Sequence, residues 1–228
     1  LSVDKKIKIL SNLSGDIPLD SFNDDLVVST LGSIRAMKLI QNSNGEKGSN
    51  RYIISNNQSA VNILEVFSMF RLSDWNKPSI DVVPLFETVS DLNVASQVME
   101  SVYKNSVYRK HLSFRNDQQT IMLGFSDGTK DGGYLMANWS ILKAKESLTT
   151  ISRKYGVKVV FFDGRGGPPA RGGGNTHQFY SSMGTFVESD EIQLTVQGQT
   201  ISSNFGTIDS CQYNLEQLLS AGIQNRVL

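Results

Sequence analysis

A glycine-rich segment that carries two arginines is the part of the sequence best suited to chemistry. It reads FFDGRGGPPARGGGN over residues 161–175, places Arg165 and Arg171 six positions apart, and overlaps the end of the apolar run VKVVFF. Glycine lets a backbone approach a ligand closely, and a guanidinium group binds a carboxylate or phosphate through two parallel hydrogen bonds. At the end of a strand, such a segment predicts an anion-binding loop.

The same segment has an alternative interpretation, as an arginine–glycine tract that contacts RNA. RNA-binding tracts of this kind repeat within disordered sequence, whereas this one is single and lies between a predicted strand and a predicted helix. Lys+Arg and Asp+Glu each number 22, so the formal net charge is zero. No overall basic excess favours a nucleic-acid partner, and we favour the anion-binding loop.

Two carboxylates, Glu87 in PLFET and Asp127 in GFSDGTKDGG, each follow a predicted strand. Without His or Cys companions they are typical of a site for Mg²⁺ or Mn²⁺. Each also has an ordinary interpretation: Glu87 is a surface acid before a helix cap, or Asp127 is a turn or capping residue. Lys130 either offers a positive charge to a substrate anion or is a solvated lysine at a helix start, and spacing alone favours the latter. The arginines downstream lead us to favour the metal site.

The two histidines of the sequence, His111 and His177, do not have the spacing of a metal-binding pair. The segment HLSFRND predicts a surface connection around His111. His177 follows the glycine-rich segment at a predicted helix start, where it either lines the site or has a capping or packing role. No Ser-His-Asp or Cys-His pattern favours covalent nucleophilic catalysis.

These residues must be positioned by alternating strands and helices. The apolar runs predict strands at 51–55, 80–86, 120–125 and 157–162, and helices at 59–72, 90–103, 133–155 and 176–183. This alternation indicates a parallel sheet covered on both sides. Toward the end, IQLTVQGQ and TISSNF predict a strand or hairpin, and NLEQLLSAGI predicts a last helix.

Polar groups follow each predicted strand at its carboxyl end, namely Asn56, Glu87, Asp127, and Asp163 with Arg165. In parallel α/β sheets and barrels, catalytic groups lie at these ends. A complete (β/α)8 barrel needs about 250 residues, and the first fifty residues here read as helical up to a polar linker at 42–50. We therefore predict an α/β fold: a helical segment over 1–50, then a partial (β/α)8 barrel with additional helices over 51–228.

Composition narrows the class of protein. The apolar fraction of 39% and charged fraction of 19% are typical of a globular domain rather than a disordered chain. The single cysteine, Cys211, allows no intrachain disulfide and predicts a cytoplasmic location. No apolar run is long enough to span a membrane, and no signal peptide is visible. The chain opens at Leu1 in mid-pattern, which we interpret as an excised domain or a processed product.

From Tyr52 onward, and most strongly from Val82 to about Gly198, the sequence resembles phosphoenolpyruvate carboxylases of the bacterial type. The order and spacing of the matching segments also agree with that family. The segments are YIISN, VVPLFETVSDLNVA, MLGFSDGTKDGGYLMANW and FFDGRGGPPARGGGNTHQ, with QLTVQGQTI as a weaker tail.

The resemblance implies a role for each matching residue. Glu87 and Asp127 match the two protein ligands of Mg²⁺ or Mn²⁺. Lys130 matches the lysine of the family's SDSxKDAG motif, near the bicarbonate site. Arg165 and Arg171 match the arginines that contact the phosphoryl group and the bicarbonate or carboxyphosphate. Substrate-binding roles also fall on the loop residues Asp163, Gly166 and Gly167.

The resemblance also implies a reaction, in which phosphoenolpyruvate and bicarbonate give oxaloacetate and phosphate through carboxyphosphate and an enolate. Oxaloacetate connects this reaction to the tricarboxylic acid cycle, and the family further suggests a homotetramer inhibited allosterically by aspartate or malate. Another barrel enzyme that uses phosphoenolpyruvate remains an alternative, separable by its lack of bicarbonate dependence.

The sequence departs from the family pattern in three respects. Asp163 stands where FHGRGG has histidine, and a carboxylate there repels phosphate unless Arg165, Arg171 or the metal offsets it. Residues 168–170 read Pro-Pro-Ala, which predicts a stiffer loop. The family's catalytic histidine, an arginine from an earlier strand and the regulatory region have no counterpart. We therefore expect the isolated 228 residues to turn over little or nothing.

Overall fold

The structure, a computed structural model, describes residues 1–168 and 172–227 and alternates helices with parallel strands. The strands are β1 Arg51–Ile54, β2 Asp81–Phe86, β3 Gln118–Gly124, β4 Lys158–Gly166 and β5 Ile192–Val196. The helices are α1 Val3–Asn12, α2 Asp25–Asn44, α3 Ala60–Arg71, α4 Val89–Lys104, α5 Ser106–Phe114, α6 Ser126–Lys154, α7 Thr176–Ser181, α8 Gly198–Phe205 and α9 Ile208–Val227.

The five strands form one parallel sheet whose spatial order, β1-β2-β3-β4-β5, is the order of the chain. Each connection therefore advances in the same direction. Because connections between parallel strands are right-handed, the connecting helices fall on one face of the sheet. This differs from the expected cover on both faces, and it is the arrangement of a (β/α)8 barrel segment. The predicted α/β class and parallel sheet are confirmed.

The hydrophobic core lies between that face of the sheet and the helices. Phe86 and Leu123 are paired in register on neighbouring strands, and both are fully buried in the core cluster. The next row of the sheet, Leu85, Met122 and Phe162, faces the other way and is only partly buried. Burial of one large apolar side chain contributes about 1.5–3 kcal/mol, so the helix-covered face holds the sheet in place.

Local capping sets the helix starts at the carboxyl edge of the sheet. Thr88 and Asp91 form a reciprocal capping box at the start of α4, directly after β2. Helix α6 begins at Ser126, seven residues before the predicted start, so GFSDGTKDGG is largely helical rather than a loop. Gly133 interrupts α6 with φ 77° and ψ 168°, a conformation that is essentially restricted to glycine.

Three further predictions of local structure were wrong. Helix α5 replaces the expected surface connection, because the Asn105 side chain caps it by accepting from the backbone N–H groups of Val107 and Tyr108. His111, on α5, is buried rather than exposed. The predicted strand or hairpin near the end is a single strand, β5, followed by helix α8 over Gly198–Phe205, so only the hairpin alternative was wrong. Helix α2 continues to Asn44, which shortens the predicted linker. Within the described ranges, no helix is both long and apolar enough to cross a membrane.

Candidate active site

Glu87 lies immediately after β2, at the carboxyl edge of the sheet. Two glycines from the β3–α6 segment make room for it. A Cβ atom added at Gly124 would lie 3.1 Å from the Glu87 Cα, and one at Gly128 would lie 3.3 Å from its carbonyl oxygen. The Glu87 Oε2 atom accepts a hydrogen bond of 3.3 Å from the backbone N–H of Asn56, after β1. The ends of three neighbouring strands therefore meet around this half-buried carboxylate.

Asp127 is the second residue of α6, beside the Gly128 that contacts Glu87. Its side chain is 50% exposed, and its Oδ1 atom accepts a 2.9 Å hydrogen bond from the Nζ of Lys130. Asp131 ties this turn to α4, because its Oδ2 atom accepts from the Val89 backbone N–H at 3.2 Å. The structure thus places Glu87, Asp127 and Lys130 at the same edge of the sheet, as their positions after strands predicted.

The donor set at this edge is compatible with a hard divalent cation. Glu87 and Asp127 supply carboxylate oxygens, which Mg²⁺ and Mn²⁺ prefer, and Mg²⁺ sites in proteins typically use one or two carboxylates with water and substrate oxygens. Within residues 1–168 and 172–227, no group of three or more His, Cys, Asp or Glu side chains is arranged to hold a metal. Two carboxylates do not fill the coordination sphere of such a cation, which leaves positions for water and substrate oxygens.

The glycine-rich segment returns to the same part of the molecule. Gly172 has φ +80°, and a Cβ atom there would lie 2.7 Å from the Phe125 Cβ and 3.0 Å from the Thr129 Oγ1. The Tyr134 hydroxyl donates a 3.4 Å hydrogen bond to the Gly173 carbonyl. The segment therefore packs against the first turn of α6, which bears Asp127. Arg171, predicted to bind the substrate anion, lies outside the described residues.

The first half of the segment turns sharply at the end of β4. Gly166 is the last residue of β4, and the Gly167 backbone N–H donates a 2.8 Å hydrogen bond to the Arg165 carbonyl. A Cβ atom at Gly167 would collide with the side-chain amide of Gln197, 2.7 Å from its Cδ. A larger residue at Gly167 would therefore require the Gln197 side chain to move. His177, the second residue of α7, is half-buried.

Arg165 is enclosed between the sheet and α7, with 3% of its surface exposed. Its guanidinium lies over the ring of Phe179 at 4.1 Å and over that of Phe125 at 5.8 Å. Within the described residues, its buried Nε atom has no hydrogen-bond partner. Burial lowers the pKa of Arg165, whereas Tyr180 and Asp163 oppose that shift. The side chain also lines a cavity of about 360 Å³ between α6 and α7.

Asp163 is completely buried on the same strand. Its Oδ2 atom accepts hydrogen bonds of 2.8 Å from the Lys145 Nζ and 2.8 Å from the Tyr180 hydroxyl. Burial lowers the pKa of Lys145, an effect that Asp163 opposes, and burial also raises the pKa of Tyr180. Asp163, predicted to bind substrate, is therefore covered by Lys145 and Tyr180 in this structure.

The sequence analysis missed Lys145 and Tyr180, although one signal for Lys145 was available. Lys145 occupies an apolar face of α6, with the fully buried Ile141 four residues before it and Leu148 three residues after it. A lysine in such a stripe indicates a buried acidic partner. No comparable signal marks Tyr180.

Comparison with known proteins adds to this geometry. The family model for phosphoenolpyruvate carboxylase matches residues 1–228. The chain belongs to the phosphoenolpyruvate carboxylase family. The match includes the first fifty residues, where the resemblance was not visible in the motifs. Phosphoenolpyruvate carboxylases are carbon–carbon lyases that fix carbon dioxide, act on phosphoenolpyruvate and bicarbonate, and generally use a divalent metal ion.

Proposed function

We propose that the protein containing this chain joins phosphoenolpyruvate and bicarbonate to give oxaloacetate and phosphate. The observation that carries this proposal is the convergence of Glu87, Asp127 and the glycine-rich segment at one edge of the sheet. Carboxyl ends of parallel strands are where such folds bind substrates. Family membership supplies the identity of the reaction.

Glu87 and Asp127 are the residues that would hold the divalent cation at this edge. When bound, the cation supplies positive charge to the phosphate and enolate oxygens of the substrate. Lys130 contacts Asp127 and is 65% exposed, so its ammonium group can turn from Asp127 to a bicarbonate anion. We assign it that role on the family resemblance.

Arg165 and Arg171 bind the phosphoryl group in this proposal. Phosphoryl transfer moves the group from the enol oxygen of phosphoenolpyruvate to an oxygen of bicarbonate, giving carboxyphosphate and the pyruvate enolate. Carboxyphosphate then releases phosphate and carbon dioxide, and the enolate carbon attacks the carbon dioxide. Guanidinium groups held in a water-poor site stabilise charge on the transferring oxygens without reorganising.

The glycine-rich segment protects both intermediates from water. Gly172 and Gly173 already contact Phe125 and Tyr134 on the α6 side, so the segment is in position to cover the substrate. Exclusion of water prevents hydrolysis of carboxyphosphate and protonation of the enolate. Asp163 supports the segment from beneath rather than by direct contact with substrate.

The test is oxaloacetate formation by the natural full-length protein, followed with malate dehydrogenase and NADH. We expect dependence on bicarbonate and on Mg²⁺ or Mn²⁺. Glu87→Gln or Arg165→Ala should lower kcat/KM by at least about 100-fold, the loss typical of one transition-state contact. Glu146→Gln, a change at a partly exposed position on α6, is the matched control and should retain activity. Turnover of phosphoenolpyruvate at a rate independent of bicarbonate would instead support the alternative that the protein is another barrel enzyme that uses phosphoenolpyruvate.

Three finer points stay predictions. We expect the isolated 228 residues to form little oxaloacetate in the same assay, and substantial turnover would contradict this. The homotetramer and the allosteric control follow from the family resemblance, and the cytoplasmic location from the single cysteine. The RNA-binding alternative is disfavoured because Arg165 is buried against Phe179 rather than solvated.

A further inference from the structure

A buried ion pair between Lys145 and Asp163 lies behind the glycine-rich segment, and the mechanism above gives Lys145 no role. The Lys145 side chain is 3% exposed, and that of Asp163 is fully buried. Removing two charges from water costs more than their attraction commonly returns, so such a pair is weak evidence for stability. The presence of a buried ion pair at this position therefore calls for an explanation other than stability.

The position of Asp163 on β4 suggests that reason. Asp163 and Arg165 are two residues apart on one strand, and both contact α7, Asp163 through the Tyr180 hydroxyl and Arg165 through the Phe179 ring. Both are buried and opposite in charge, and attraction between opposite charges is strong where water is excluded. The charge of Asp163 acts on Arg165, so Asp163 is available as a counter-ion for Arg165 when it has no other partner.

In the structure Asp163 is bound by other groups instead. Lys145 and Tyr180 both donate to its Oδ2 atom. Among the described residues, neither the Asp163 Oδ1 nor the Arg165 Nε has a hydrogen-bond partner. Phe179 lies near both cations, with its ring centre 4.1 Å from the Arg165 guanidinium and 5.3 Å from the Lys145 Nζ. The aromatic ring favours both cations without neutralising either.

We propose that Lys145 is a positioning residue that engages Asp163 and thereby leaves the guanidinium of Arg165 available to the substrate anion. Lys145, Asp163 and Arg165 together carry one net positive charge, which a phosphoryl group can use. Removal of Lys145 would leave Asp163 and Arg165 to neutralise each other. The inference rests on the proposed function for the identity of the anion, and on the structure for the competition over Asp163.

The experiment measures binding of inorganic phosphate and of phosphoenolpyruvate to the natural full-length protein by calorimetry, without bicarbonate. Lys145→Met removes the charge and keeps much of the length of the side chain. We expect both dissociation constants to rise by at least about tenfold. In this variant Asp163 competes with the anion for Arg165, and even a modest competing interaction weakens binding about tenfold. Lys143→Met is the matched control, since Lys143 lies two residues away on α6, is half-exposed and pairs with Glu146. Its dissociation constants should stay within twofold of wild type.

Rescue separates positioning from a general loss of structure. Asp163→Asn added to Lys145→Met removes the competing acid, so phosphate affinity should return to within about threefold of wild type. If Lys145→Met does not fold, the double variant decides, because it removes both charges of the Lys145–Asp163 pair and leaves Arg165 as the remaining charge of the three. A folded Lys145→Met protein with unchanged affinity, or a folded double variant that stays weak, would overturn the inference. So would a wild-type protein that binds neither ligand.

The same measurements keep the two proposals distinct. Phosphate binding that follows the expected pattern in a protein that makes no oxaloacetate would refute the carboxylase function and support the role of Lys145. Oxaloacetate formation with a KM for phosphoenolpyruvate that is the same in wild type and Lys145→Met would support the carboxylase function and refute the role of Lys145.

Discussion

The carboxyl edge of the sheet holds two kinds of charged cluster, and they differ in their access to water. In the outer cluster, Asp127 and Lys130 are at least half exposed and their ion pair spans one helical turn. In the inner cluster, Lys145, Asp163 and Arg165 are buried. Exposed pairs are screened and exchange partners at little cost, whereas buried pairs are fixed by their surroundings. The outer cluster is suited to acquiring ligands, and the inner one to holding a geometry.

The largest expected effect is on the free energy of unfolding, and it tests how much the buried pair of Lys145 and Asp163 contributes to stability. Lys145→Ala removes the hydrogen-bonded partner of Asp163 and should lower the free energy of unfolding by up to about 3–5 kcal/mol, the loss for an uncompensated buried charge, less what Arg165 returns by pairing with Asp163. Urea denaturation monitored by circular dichroism measures this. Lys143→Ala on the same helix is the control, and an equal loss in both variants would remove the distinction between the clusters.

A further buried group, His111, should make the stability of the protein depend on pH. Burial, with a smaller contribution from Arg115, lowers the pKa of His111 to about 4, although hydrogen bonding to the Ile80 backbone partly opposes this. Because the folded pKa lies below the unfolded value near 6.5, the neutral histidine favours folding above pH 6.5. That contribution is lost as the pH falls from 6.5 through 4, and it amounts to about 3 kcal/mol.

Unfolding free energies measured between pH 7 and pH 4 test this expectation. His111→Leu should flatten that part of the pH profile, whereas His177→Leu, at a half-buried position on α7, should leave its slope unchanged. A profile that is equally steep in the His111→Leu protein would contradict the role of burial at His111.

The outer cluster is expected to respond in ligand binding rather than in stability. Asp127→Asn should weaken Mn²⁺ binding by at least about tenfold, since removal of groups that only support metal ligands costs 10–100-fold. Electron paramagnetic resonance of free Mn²⁺ measures the affinity. The midpoint of thermal unfolding should stay close to wild type, because the Asp127 side chain is half exposed. Undiminished Mn²⁺ binding would exclude Asp127 as a ligand.

The smallest expected effect is at Lys130. Its pair with Asp127 is exposed, and such pairs contribute about 0–1 kcal/mol. Lys130→Met should therefore change the free energy of unfolding by less than about 1 kcal/mol in urea denaturation. A loss as large as that of Lys145→Ala would show that the outer pair is structural after all.

The sequence was sufficient to predict the parallel sheet and the edge at which Glu87 and Asp127 lie. Apolar runs marked β2, β3 and β4 to within a few residues, because strands in a covered parallel sheet carry continuous apolar side chains. The positions of Glu87 and Asp127 followed from those strands, since the carboxyl ends of neighbouring parallel strands share an edge.

What escaped prediction depends on contacts between distant parts of the chain. The partners of Asp163 lie 18 and 17 residues away, on α6 and α7, and only the packing of both helices on β4 brings them together. Helix α5 was missed because it is short and polar. The capping residue Asn105 was a better sign of this helix than the spacing of its apolar residues. The early start of α6 was hidden by its glycines, which have low helix propensity.

The break at Gly133 divides α6 into two parts with different contacts. The long part of the helix after it packs against α4 and the sheet, while the short part before it carries Asp127 and Lys130. Any side chain at Gly133 would be strained at φ 77°, and relief of that strain would straighten the helix. Gly133 therefore separates the direction of the turn that carries Asp127 and Lys130 from the packing of the longer helical part into the core.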